Sequence, residues 1–121
     1  MGPYWNKYVE TYFEHDVYRS DDGSVRSKAY REGILEEGQR SSEASPEEQW
    51  ANVQVPTLLL RAGQGLFFDN DQLLSEEAAA SIQHGIKNCR YVNFPTLNHY
   101  TIAFGVEPGP VLKVRAFVDE V

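Results

Sequence analysis

Apolar positions along this chain follow two different rhythms. Between residues 4 and 15, Trp5, Tyr8 and Tyr12, with Val9 and Phe13 one step round, recur at helical spacing and predict a short helix with an aromatic face. Asp21-Asp22-Gly23 then separates Val17-Tyr18-Arg19 from Ser24-Val25-Arg26, and Asp-Gly between short β-prone pieces predicts a hairpin or turn. Residues 29–40 are rich in helix formers. Only Tyr30, Ile34 and Leu35 are apolar there, and Gly33 and Gly38 weaken the segment, so a mostly solvated helix is expected. Ser45-Pro46-Glu47-Glu48 predicts the start of a short helix carrying Trp50: Ser45 caps it, Pro46 takes the first helical position, and Glu48 reaches back.

From Pro56 the rhythm changes. Thr57-Leu58-Leu59-Leu60-Arg61 is an apolar run of strand length, the pattern of a strand buried on both faces in a parallel sheet. A loop with Gly63, Gly65, Asp69 and Asp71 follows. Ser75 then caps a helix opening on Glu76-Glu77, with Ala78, Ala79, Ile82 and Ile86 on one side and Gly85 near its end. Residues 89–94 read as a second strand, stopped by Pro95. After the loop around Asn98-His99-Tyr100 and the prolines at 108 and 110, a last helix sets Val111, Val114, Phe117 and Val118 on one face.

Strand, helix, strand, helix predicts a parallel pair with a right-handed crossover. Two parallel strands are too few to cover themselves. Either the N-terminal third wraps the sheet, or the open edge of the first strand pairs with another chain, which is the reading preferred here. The expected organisation is α/β. A cap-like or interaction segment of helix and hairpin spans residues 1–49, and a βαβα segment with a short parallel strand pair flanked by helices spans residues 50–121.

A length of 121 residues allows one domain at most, and such a domain buries roughly 65% of its unfolded surface. The mean hydropathy of −0.49 beside a hydrophobic fraction of 41% means that the apolar residues are concentrated rather than spread. Eleven basic against eighteen acidic side chains give a net charge of −7, with no basic run to track a phosphate backbone, so nucleic acid is not an expected partner. Residues 1–50 hold eleven of the acids and six of the bases, which makes them the wetter and more acidic part. The single cysteine, Cys89, excludes an internal disulfide. There is no leader-like segment and no apolar run of bilayer length, so a soluble, cytoplasmic protein with no membrane partner is expected.

The chemistry concentrates in the two loops that follow the strands, where open α/β sheets bind ligands. One offers Asp69 and Asp71, the other His99. A carboxylate orienting an imidazole that acts as general base is two-thirds of a nucleophilic triad; the nucleophile is missing. Plainer readings stand beside this one. Acids flanking Asn70 are turn formers, His84 suits a helix C-terminus on the surface, and His15 has no partner pattern. Cys89 reads as a small buried hydrophobe, and Ser41, Ser42 and Ser45 as loop and cap residues. Gly63-Gln64-Gly65 lacks the third glycine or lysine of a nucleotide loop, and no cofactor is expected.

The segment Val55-Pro56-Thr57-Leu58-Leu59-Leu60-Arg61-Ala62-Gly63, the capped helix, Arg90-Tyr91-Val92, Asn98-His99-Tyr100-Thr101-Ile102 and the closing amphipathic helix together resemble the C-terminal portion of an α/β-hydrolase, over about residues 50–121. Residues 4–49 resemble the end of that family's variable cap. The resemblance implies that His99 stands at the catalytic histidine and Asp69, or alternatively Asp71, at the acid. The family's usual acid position, a few residues after the strand's glycine, holds Gln64, Gly65 and Leu66 here. No G-x-S-x-G occurs in the 121 residues, so the nucleophile elbow and its oxyanion donor are absent. The implied function is that of an esterase-like or acyl-bond hydrolase ancestor, catalytically incomplete as a single chain. Hydrolysis of a small acyl ligand is expected only if a complementary N-terminal hydrolase half supplies the serine. The alternatives are a non-catalytic homodimeric interaction module and a truncated fragment of a larger hydrolase.

Overall fold

A computed structural model describes residues 5–121 of the chain, which is a mixed α/β protein with two small sheets. Two compact units divide between Ser45 and Pro46.

In the first unit, α1 (Lys7–His15) begins where Asn6 accepts a hydrogen bond from the Val9 N–H, a side-chain N-cap. The aromatic face of this helix was expected from residue 4; Tyr4 lies outside the described residues. Trp5 stacks on Phe13, yet Trp5, Tyr8 and Tyr12 are exposed, and Val9 is the one buried position among the described residues of this unit. The predicted hairpin forms from β1 (Val17–Arg19) and β2 (Val25–Ser27), antiparallel, with Tyr18 opposite Arg26. Its turn needs Gly23 at φ +84°, a left-handed conformation that costs glycine little. Arg26 and Lys28 both lie over the Tyr18 ring. Helix α2 (Arg31–Glu43) has no buried residue, and a Glu36–Arg40 ion pair braces its wet surface.

The second unit opens with α3 (Glu47–Trp50), a single turn. Pro46, with helical φ and ψ, takes the N-cap position itself, so Ser45 lies one residue outside the helix and makes no capping hydrogen bond. Strands β3 (Thr57–Ala62) and β4 (Cys89–Phe94) pair in parallel from Thr57↔Cys89 to Ala62↔Phe94. The crossover between them is α4 (Glu76–Gly85), whose N-terminus is capped by the Ser75 hydroxyl accepting from the Ala78 N–H. Gly85 lets Trp50 lie against the end of this helix: a Cβ there would stand 2.7 Å from Trp50 Cε3.

Helix α5 (Gly109–Glu120) packs on β3 and covers one face of the pair, where Arg90 forms an ion pair with Glu120 and lies over Phe117. Arg61 and Asn93 share the opposite face, joined by a hydrogen bond. The buried apolar residues of this unit are Ala79, Ile86, Leu97, Phe104 and Pro110. Leu58, Leu59 and Leu60, read from the sequence as buried on both faces, are only half-buried, and Val111, Val114 and Val118 of α5 are exposed. The reason is geometric. A sheet of two strands about 4.8 Å apart is no wider than one helix, so it cannot cover an apolar face on each side, and both its edges are open.

Candidate functional site

The carboxyl ends of β3 and β4 carry the two loops that contain the candidate residues, and backbone hydrogen bonds tie these loops together. Gly63 donates to Phe94 at 2.9 Å and Gln64 donates to Leu97 at 3.0 Å. Such close approach requires glycine at 63, where a Cβ would stand 2.8 Å from Pro95 Cα.

Asp71 organises the first loop from within. Its carboxylate accepts from the backbone N–H groups of Leu66 (2.7 Å), Phe67 (2.9 Å) and Phe68 (3.1 Å). Desolvation alone would push the Asp71 carboxyl up, but these three donors outweigh it and hold the carboxyl below the ordinary aspartate value. Gly65 is part of the same device, because a Cβ there would overlap the Phe68 carbonyl. Asp69 is exposed, and among the described residues its carboxylate has no hydrogen-bond partner; only its backbone carbonyl accepts, from Gln72. It borders a polar cleft of about 220 Å³ shared with Asn98.

His99 opens a short helical turn after β4. Asn98 caps that turn: its Oδ1 accepts from the N–H groups of Tyr100 (3.0 Å) and Thr101 (2.9 Å). In return the buried Thr101 hydroxyl accepts from the Asn98 N–H at 2.8 Å. The His99 ring is exposed and meets Tyr100 edge-on. No hydrogen bond or ion pair joins it to Asp69 or Asp71, so the fold brings the two loops together without pairing the acid and the imidazole. His99 does line an apolar cavity of about 290 Å³, with Leu60, Arg61, Leu66 and Ile102 among its walls.

Comparisons with known protein families, curated proteins and solved structures returned no match.

The serine and threonine hydroxyls of the second unit are occupied elsewhere, while the buried Tyr91 hydroxyl has no hydrogen-bond partner among the described residues. Ser75 caps α4, Ser81 donates to Glu77, Thr96 donates to Glu107, Thr57 donates to Val55, and Thr101 serves the Asn98 cap. None is bonded to His99. Cys89 opens β4, and burial pushes its thiol up, which disfavours the thiolate a nucleophile needs. Among the described residues no group of three or more His, Cys, Asp or Glu could hold a metal, and no helix is long and apolar enough to cross a membrane.

Two features of the site escaped the pattern reading. Asn98-x-x-Thr101 is a local capping signature. Arg61, the lone charge in an apolar strand, is 7% exposed: its Nε–H donates to the Leu74 carbonyl at 2.8 Å and its Nη1–H to Asn93 Oδ1 at 3.0 Å. A charge inside an apolar run was the available signal, since a strand buries such a residue only if its N–H groups find acceptors.

Proposed function

We propose that residues 50–121 are the acid-and-histidine portion of an α/β-hydrolase-like fold, of ester or acyl-bond hydrolase ancestry and catalytically incomplete without a nucleophile half. The observation that carries this reading is the parallel β3–β4 pair with its α4 crossover and two joined loops, the second of which sets an exposed imidazole at an apolar cavity. In a complete site His99 is the general base, and Asp69 is the acid with a carboxylate free to orient it. Asp71 is the weaker candidate, because its carboxylate is already committed to three backbone donors.

A p-nitrophenyl butyrate assay on the purified chain tests incompleteness. Turnover at the buffer rate, unchanged by His99→Ala, is expected; robust turnover lost in His99→Ala would overturn it. The open edges of the β3–β4 pair favour a second reading, a homodimeric interaction module that extends the sheet across two copies. Light scattering at micromolar concentration then reads a dimer, and a monomer with cooperative unfolding counts against this alternative.

A further inference from the structure

Arg61 is a buried cation with no carboxylate partner among the described residues. Of its five N–H groups, two are used, on Leu74 and Asn93, and among the described residues the two on Nη2 and the second on Nη1 have no acceptor. An isolated buried charge is costly, and a guanidinium presents a fork that fits a carboxylate in two-point fashion. The cavity of about 290 Å³ is lined by Arg61 and by Leu74, whose carbonyl accepts from the Arg61 Nε–H at 2.8 Å. The remaining wall is largely apolar, through Leu60, Leu66, Leu73 and Ile102, with His99 also lining it.

We propose that this cavity is a binding site for a small apolar monocarboxylate, with its carboxylate on the free N–H groups of Arg61 and its hydrocarbon tail against the leucines. At roughly 30 Å³ for each water-sized group, the volume holds about ten non-hydrogen atoms, the size of an eight-carbon fatty acid. The inference concerns binding alone and rests on the burial and bonding of Arg61, so ester turnover, or its lack, leaves it untouched.

The test is a pair of NMR titrations of the ¹⁵N-labelled chain with sodium octanoate and with 1-octanol, which differ chiefly in the charged head. Octanoate is expected to give saturable shifts at the Arg61 side-chain Nε–H and at the amides of Leu66, Leu74 and Ile102, with octanol at least about tenfold weaker. Leu73→Trp fills the cavity from an exposed wall position and is expected to weaken octanoate about tenfold or more while the spectrum stays folded. Arg61→Met should abolish the preference for octanoate. If that variant does not fold, the two ligands on the natural chain still decide. Equal affinity for both ligands, shifts that map away from the cavity, or no saturable shift at millimolar octanoate would overturn the assignment.

Discussion

Leu97 joins the end of β4 to the turn that carries His99, and it is 1% exposed. Leu97→Ala removes three carbons from that place. At about 0.8 kcal/mol for each buried CH₂ group, the lost transfer energy is about 2.4 kcal/mol, and any residual cavity adds about 24 cal/mol per Å³. Collapse is restricted, because the backbone on both sides is anchored: Leu97 donates to Phe94 at 3.2 Å and its carbonyl accepts from Gln64. A loss of about 3 kcal/mol follows, which for a unit of this length lowers the Tm by roughly 12–24 °C. Trp50 is the one tryptophan between residues 46 and 121, so in a Trp5→Phe background its fluorescence during urea unfolding reports this unit alone. Leu73→Ala is the control. It makes the same chemical change at a position 65% exposed and should cost under about 0.5 kcal/mol at an unchanged denaturant slope. A Leu97→Ala loss below about 1 kcal/mol, or one equal to the control, would refute the view that this side chain anchors the His99 loop.

Gly85→Ala should destabilise the second unit by about 1–3 kcal/mol and shift Trp50 emission, since the new methyl must displace the indole; a stabilised variant, as helix propensity alone favours, contradicts the packing. Because the Asp71 carboxyl is held below its ordinary value of 3.8, the stability it lends is fully present above that value and is lost as the pH falls through the lower folded value. Relative to intrinsic rates, which themselves slow on acidification, amide protection at Leu66, Phe67 and Phe68 should therefore fall through that window ahead of the β4 amides. Asp71→Asn should show fast exchange at those three amides at neutral pH, with the acid step gone; protected amides in that variant would remove Asp71 from the role given to it here.

Much of the second unit was legible because its signals are local. Ser75 before Glu76-Glu77 marks the start of α4, and the prolines at 56 and 95 bracket the two strands, whatever the rest of the chain does. The hairpin was legible for the same reason, through the conformation that Gly23 adopts. The site was legible only as far as its address. Two loops at the carboxyl ends of parallel strands followed from the element order, while the relation of Asp69, Asp71 and His99 did not, because their separation depends on how each loop closes on itself.

By itself, then, the sequence determined the kinds of element, their order and the loops that hold the polar residues, since caps, prolines and apolar periodicity act over one turn or one strand. Only the tertiary structure decided which acid is occupied: Asp71 turns inward to three backbone donors, and among the described residues no carboxylate pairs with His99. It also decided that Arg61 is buried, through a bond to Asn93 that spans 32 positions of the chain, and that Gly85 serves Trp50. Contacts of that range depend on strand register and helix placement, which no local pattern encodes, and the two-stranded sheet they build is why residues patterned for a core remain half in water.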